Sequence, residues 1–213
     1  MKFAELLDIA SELPVFRGSL LLAGDRDPAD VRRQLSRWTA SGKVVQLRRN
    51  VYILARPWRR VEPHPFLIAN ELHRPSYVSL ESALAFHELI PEAVPVTTSV
   101  TTGRPATVDT KLGRYLYRHV CPEAFFGYGR VRVVGNQEAL VADAGKALLD
   151  QVYLTTKGDA LAYLESLRLE NLDAVDESDL RDHARKWNRP KIDRAVETIL
   201  TIERAAGKGE EPS

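Results

Sequence analysis

The sequence has little of what several functional classes require. Its 213 residues include one cysteine, so no disulfide can form within the chain, and Cys121 has only His119 as a neighbouring soft ligand, too few for structural zinc. Its longest apolar stretches, such as SLLLAG and PFLIANEL, are far shorter than the roughly 20 residues of a membrane-spanning helix. The N-terminus lacks the apolar core of a secretory signal. We therefore expect a cytoplasmic protein that contacts no membrane and needs no metal or cofactor.

Length and composition indicate a folded protein of two modest domains. The chain is longer than a common single domain, and 44% of its residues are hydrophobic, enough to fill a real core. A net charge of +1 conceals an uneven distribution. Residues 1 to 60 hold 12 Lys and Arg against 6 Asp and Glu, whereas the remainder holds 18 against 23. A basic N-terminal module suggests a polyanion as its ligand.

The N-terminal pattern predicts three helices followed by a β-hairpin. Residues 2–12 have helical apolar spacing, and residues 18–24 form a second, brief helix. Asp27 as N-cap, Pro28 at the first helical position and Gly42 just past the end predict a third helix over residues 28–41. Two strands follow, 44–47 and 51–54, joined at Arg48-Arg49-Asn50, where asparagine suits a tight turn. This order predicts a winged helix-turn-helix DNA-binding domain over residues 1–58.

The third predicted helix separates an apolar face from a cationic one. At about 100° per residue, Val31, Leu35 and Trp38 share one stripe, while the opposite side is rich in arginine and small residues. In a winged helix, the third helix enters the major groove and the hairpin contacts the neighbouring backbone. The predicted DNA-binding residues are Arg26, Arg32, Arg33, Ser36, Arg37, Lys43, Arg48 and Arg49. The alternative is a winged helix that docks to another protein, with a solvated arginine face.

Residues 59–205 predict a second, mixed α+β domain that ends in helices. Helical patterns cover 65–73 and 79–90, the latter with Ser79 as a cap, and alternating strands lie within 94–103, 114–120, 129–135 and 138–143. Helices return at 144–154, 159–169, 177–187 and 190–206. The tail, residues 206–213, is predicted to be disordered.

Nothing in the second domain predicts catalysis. Asp109-Thr110-Lys111 has the acid-x-lysine spacing of a metal-dependent nuclease, but it lies in a Thr/Gly-rich stretch typical of a turn; a defence-associated nuclease remains the alternative. Asp143 is placed to cap the following helix, and Lys146 with Asp150 makes an ordinary i,i+4 pair. The basic stretch from Arg181 to Arg194 is either a second nucleic-acid contact or a solvated helix face.

Four sequence blocks in order carry a family resemblance. VRRQLSRWTASGKVVQLRRNVYIL is followed by YVSLESALAFHELIP, then by PVTTSVTTGRP and ALVADAGKALLDQVYL. This combination, over roughly residues 14 to 165, resembles the AbiEi antitoxin family of bacterial toxin-antitoxin and phage-defence operons. The resemblance implies a transcriptional autorepressor that binds double-stranded DNA at its own promoter, at inverted repeats. It also implies an antitoxin domain that neutralises a nucleotidyltransferase-like toxin encoded in the same operon, with or without direct contact.

Overall fold

The computed structural model describes residues 1–23 and 26–207, with side chains through residue 205. In this part the chain is a mixed α+β protein with eight α-helices and two sheets, and it ends in helices. The predicted fold class is confirmed at this level. The helix predicted to begin at residue 190 continues to Gly207, so the first two residues of the expected tail are helical. The rest of that tail lies outside the described residues.

The first 54 residues form two helices and a small antiparallel sheet. In chain order the elements are α1 (Phe3–Ala10), β1 (Phe16–Arg17), a 3₁₀ segment (Gly18–Leu22), α2 (Pro28–Ala40), β2 (Val44–Arg48) and β3 (Val51–Leu54). The sheet has the order β1-β3-β2, with a bulge between Gln46 and Arg48. The brief helix predicted at residues 18–24 is present as a 3₁₀ helix, Gly18–Leu22, which directly follows β1; Gly24 lies outside the described residues. The unpredicted β1 pairs with β3.

The remaining strands form one six-stranded sheet. They are β4 (Ser76–Val78), β5 (Val96–Thr101), β6 (Ala106–Thr110), β7 (Gly113–His119), β8 (Tyr128–Val134) and β9 (Gln137–Ala142). The order is β6-β7-β5-β4-β9-β8, with β5/β7 and β4/β9 parallel and the other pairs antiparallel. The helices are α3 (Pro65–Leu72), α4 (Glu81–Phe86), α5 (Ala144–Leu154), α6 (Leu161–Ser166), α7 (Glu177–Trp187) and α8 (Pro190–Gly207).

Two predictions for this part are wrong. Helix α4 covers only six residues, and Ser79 does not cap it: Leu80 is the N-cap residue, at φ 57°, and the Ser79 hydroxyl donates to Asp150 Oδ2 at 2.7 Å. Asp109 and Thr110 do not lie in a turn, because they complete the edge strand β6 opposite Arg114 and Gly113. Ser79 is held by a partner 71 positions away, whereas Asp109 and Thr110 pair across a short hairpin with β7.

The β2–β3 hairpin contributes to both hydrophobic cores. Val44 and Leu54 pack into a cluster with α1 and α2, whereas Leu47, Val51 and Ile53 belong to the larger cluster around the six-stranded sheet. Residues of β3 alternate between the two clusters, since successive side chains of a strand point to opposite faces. The apolar run VYIL is therefore covered on both sides. The hairpin lies between the two parts of the molecule.

Polar contacts reinforce the junction beside the hairpin. Arg17 Nε donates to Glu71 Oε2 and Arg17 Nη2 donates to the Glu71 carbonyl, both at 2.8 Å. Arg48 Nη1 donates to the Leu72 carbonyl at 2.6 Å. Both arginines belong to the N-terminal sheet and both partners to the last turn of α3. The orientation of the N-terminal sheet on the second part is thus fixed by apolar packing and by charge-assisted hydrogen bonds.

Candidate nucleic-acid interface

Helix α2 presents the cationic face that its sequence predicts. The Asp27 side chain accepts a hydrogen bond from the Ala29 amide at 3.0 Å, Pro28 occupies the first turn, and Gly42 follows the helix at φ 71°. Val31, Leu35 and Trp38 are buried. The opposite side, formed by Arg32, Arg33, Ser36 and Arg37, is exposed. These local signals explain why the helix and its outward face could be predicted.

The outward arginines of α2 are only lightly engaged by the protein itself. Arg33 forms an ion pair with Asp30, but 67% and 60% of the two side chains are exposed, so the pair is weak and easily exchanged. Arg32 Nε donates to the Pro28 carbonyl at 3.2 Å. Within the described residues, no carboxylate pairs with Arg32 or Arg37. This face retains donors for an external anion.

The hairpin turn brings a further arginine to the same side. Asn50 has φ 65°, as predicted for a tight turn, and Arg49 beside it is exposed. A cleft of about 400 Å³ separates this turn from α2 and the 3₁₀ segment, and its lining includes Arg32, Arg49, Asn50 and Ser19. Two arginines from separate elements therefore face one cleft, which brings together part of the predicted site.

Three predicted DNA contacts are instead occupied within the protein. Arg26 Nη2 pairs with Glu5 Oε2 at 3.3 Å, and its Nη1 lies 3.0 Å from the Met1 sulfur. Lys43 Nζ lies 4.7 Å from the centre of the Phe3 ring, a favourable cation–π distance. Arg48 donates to α3, as described above. Arg48 is exposed but engaged in this way; the predicted residues that are exposed and free of such contacts with other elements are Arg32, Arg33, Ser36, Arg37 and Arg49.

The second part of the chain holds a polar cluster that sequence reasoning missed. Lys146 and Asp150, predicted to be an ordinary i,i+4 pair, are ion-paired, but both side chains are fully buried, which an ordinary pair of this spacing is not. Tyr77 joins them: its hydroxyl donates to Asp150 Oδ2 at 2.9 Å and accepts from Lys146 Nζ at 2.9 Å. Ser79 donates to the same carboxylate. No local signal reveals this cluster, because Tyr77 and Ser79 lie some 70 positions away from it in the chain.

Aromatic rings enclose the Lys146 ammonium. The centroids of Phe126 and Trp187 lie 5.0 and 4.7 Å from Nζ. Burial lowers the pKa of Lys146 and raises the pKa of Asp150, and the ion pair opposes both shifts. The cluster has no exposed atom with which to meet a ligand, because all four residues, Tyr77, Ser79, Lys146 and Asp150, are fully buried. Its role in this conformation is structural.

Asp143 caps α5 as predicted and also holds a histidine. Its Oδ1 accepts from the Lys146 amide at 2.7 Å, and its Oδ2 accepts from His183 Nε2 at 2.8 Å. Burial alone would raise the pKa of Asp143, but these hydrogen bonds lower it below its ordinary value. The pair therefore links α5 to α7.

Half of the six basic residues between Arg181 and Arg194 are paired with acids within the described part of the chain. Arg181 bridges Glu177 and Glu197, Arg185 pairs with Asp182, and Arg194 pairs with Asp159. Lys191 Nζ donates to the carbonyls of Tyr153 and Thr155. These contacts favour the reading in which the stretch covers the packed helices α7 and α8.

The acid-x-lysine pattern does not gather further acids. Asp109 Oδ1 accepts from Arg114 Nε at 2.6 Å on the edge of the sheet. Across residues 1–23 and 26–207, no three His, Cys, Asp or Glu side chains converge as a metal site would require. His87 is half-buried and donates from Nε2 to the Ala142 carbonyl at 2.8 Å, so it too is engaged within the fold.

No protein-family model matches the chain, and no curated protein matches it. Among the helices that the structure describes, none combines the length and apolarity needed to cross a bilayer.

Proposed function

We propose that the chain is a DNA-binding transcriptional repressor that acts through a winged helix-turn-helix in residues 1–58. The observation that carries the proposal is the exposed arginine face of α2, which lies beside an exposed arginine of the hairpin turn across one cleft. Cations on two neighbouring elements match the repeated negative charge of a nucleic-acid backbone. A solvated face would gain nothing from this convergence.

The order of elements supports the winged-helix assignment. A helix, a short strand, a helical segment, a second α-helix and a hairpin follow one another, and the first strand pairs with the last. In a winged helix the helix before the hairpin enters the major groove. Here that helix is α2, so Arg33 and Arg37 face the bases and phosphates of the groove while Arg32 and Arg49 flank it.

The biological role that we propose is that of an autorepressor and antitoxin. This half of the proposal rests on the resemblance to the AbiEi family. The bound DNA would be the chain's own promoter, and residues 59–205 would carry the activity that neutralises a nucleotidyltransferase-like toxin encoded beside it. The protein itself would act without catalysis, in the cytoplasm.

The DNA half is tested by replacing Arg33 and Arg37 together with alanine in the full chain. We expect loss of retention of the DNA upstream of the chain's own coding sequence in a gel-shift assay, because the groove-facing cations are gone. The matched control replaces Arg130 and Arg132 of β8, which are also exposed, and should retain that DNA. Equal retention by both double variants would overturn the recognition-helix assignment.

The same double variant separates the two proposed activities. Co-expressed with the neighbouring toxin, it should protect growth as the unchanged chain does, while a reporter driven by the upstream DNA should be derepressed. If protection is lost together with repression in a variant that is folded, the activities are not divided between the two parts. If the neighbouring gene product is harmless by itself, the antitoxin assignment is wrong.

A further inference from the structure

The surface of the hairpin turn continues onto the second part of the molecule. Arg48, the last residue of β2 before the turn, donates to the carbonyl of Leu72 at 2.6 Å, and Leu72 is followed directly by the loop His73–Pro75. Burial raises the pKa of Tyr117, and Arg48 is close enough to offset part of that rise. The Tyr117 ring in turn packs against His73, with centroids 4.8 Å apart. The turn and this loop are therefore immediate neighbours.

Hydrogen bonds connect the loop after β5, which contains Gly103 and Arg104, to the His73–Pro75 loop and to the end of β7. His73 Nε2 donates to the Arg104 carbonyl, and His119 Nδ1 donates to the Gly103 carbonyl, each at 2.9 Å. The loops follow α3 and β5, and His119 ends β7, so all of them lie at the same end of the six-stranded sheet. We call His73, Arg74, Arg104 and His119 the sheet-end cluster.

The sheet-end cluster is basic and partly unengaged. Arg104 and His119 are exposed. Arg74 pairs with Glu71, whereas no carboxylate of the described residues pairs with Arg104. Gly103 lies so close to His73 that an added Cβ would be 3.2 Å from the imidazole Cε1. The loop that carries Arg104 is thus held tightly against its neighbour.

We infer that DNA bound by α2 and the hairpin turn also contacts the sheet-end cluster, with Arg104 on a phosphate of the backbone. The inference rests on the proposed function and extends its footprint. The hairpin contributes to both cores, and Arg48 beside its turn contacts α3 next to the His73–Pro75 loop, so the sheet-end cluster is the part of the second domain that a duplex bound along the hairpin would meet. Arg104 has the exposed guanidinium that a phosphate contact uses. The second part would therefore lengthen the DNA site without reading its sequence.

The test compares two duplexes from the upstream DNA that the full chain protects in footprinting. The long one spans about three helical turns, roughly 32 base pairs, and the short one is trimmed to the segment that α2 covers. Arg104→Ala should weaken binding to the long duplex severalfold and flatten its logarithmic salt dependence by about 0.9. The short duplex should be bound equally by the variant and the unchanged chain.

Lys111→Ala provides the matched control. Lys111 is exposed in the turn between β6 and β7, at the opposite end of the same strands, and its loss removes the same charge. It should leave affinity and salt slope for both duplexes unchanged. If Arg104→Ala and Lys111→Ala have the same affinity for the long duplex, the extended footprint is wrong. An equal loss of affinity in both variants would reflect net charge alone.

Arg37→Ala distinguishes failure of this inference from failure of the proposed function. If Arg37→Ala loses affinity for the short duplex while Arg104→Ala changes nothing, DNA binding by α2 stands and the extension is wrong. If neither variant changes the affinity for either duplex, both proposals are wrong.

Discussion

Helix α2 carries two arginines at i,i+4 spacing, and α5 carries a lysine and an aspartate at the same spacing. The charged groups are exposed in α2 and buried in α5. In α2, Arg33 and Arg37 point into solvent. In α5, Lys146 and Asp150 have no exposed surface and are bound to each other, to Tyr77 and to Ser79. An exposed cation costs the fold little and stays available to a partner. A buried cation must be compensated entirely from within, so it serves the fold and not a ligand.

The largest expected effect on stability comes from replacing Lys146 alone, so that Asp150 stays buried without its partner. Lys146→Met should lower the free energy of unfolding by about 3 to 5 kcal/mol, because Asp150 would remain buried without its counter-charge. Denaturant unfolding followed by circular dichroism measures the change.

The double variant Lys146→Met with Asp150→Leu sharpens this test. It should be more stable than the single variant, since no uncompensated charge remains, although Tyr77 and Ser79 lose their acceptor. If the free energy of unfolding of Lys146→Met is within about 1 kcal/mol of that of the unchanged chain, Asp150 does not depend on Lys146 to remain buried.

A smaller loss is expected at Gly127, which borders the lysine stem. Its φ is +67°, and an added Cβ would lie 2.9 Å from Lys146 Cγ. Gly127→Ala should therefore destabilise the fold by about 2 to 3 kcal/mol, combining backbone strain with overpacking. Gly135→Ala is the control: φ is +51° with no atom within 4 Å of the added Cβ, so only the strain of about 1 kcal/mol applies. If Gly127→Ala and Gly135→Ala lower the free energy of unfolding equally, the Lys146 side chain moves aside at no measurable cost.

An intermediate case lies at the junction, where an arginine is half-buried. Arg17→Ala removes two hydrogen bonds to Glu71 and should cost about 1 kcal/mol in unfolding free energy. Arg60→Ala breaks the Arg60–Glu12 pair, whose side chains are 70% and 68% exposed, and should be close to neutral. If both substitutions cost the same, the half-buried position of Arg17 adds nothing.

The smallest effect on stability is expected for the double replacement of Arg33 and Arg37 by alanine. Both are exposed, so the free energy of unfolding should stay within about 0.5 kcal/mol of the unchanged chain while DNA retention is lost. A marked loss of stability would instead place these arginines among the groups that hold the fold.

Elements with local boundary signals could be predicted from sequence. Asp27, Pro28 and Gly42 delimit α2, and Asp143 delimits α5, because capping acts within one turn of a helix. The short strands β1 and β4 were not predicted, since two or three residues carry too little periodicity to identify a strand.

The predicted site residues also differ in whether local sequence determines their position. The outward face of α2 follows from helical periodicity, so Arg33 and Arg37 could be placed from sequence alone. The contacts of Arg48 with Leu72 and of Arg26 with Glu5 could not, because they depend on which distant segment lies alongside. For Lys146 the i,i+4 spacing was correct and its surroundings were not: burial is decided by Phe126, Tyr77 and Trp187, which arrive from other elements.

The hairpin that serves both cores also sets an order of events during synthesis. All residues of the first core are present once Trp58 has emerged from the ribosome, so α1 and α2 can close over one face of the hairpin. The other face, with Leu47, Val51 and Ile53, has no cover until the strands of the six-stranded sheet have been made. A nascent chain therefore carries an uncovered apolar strand face through much of its translation, and that interval is when it is most exposed to misassociation with other nascent chains.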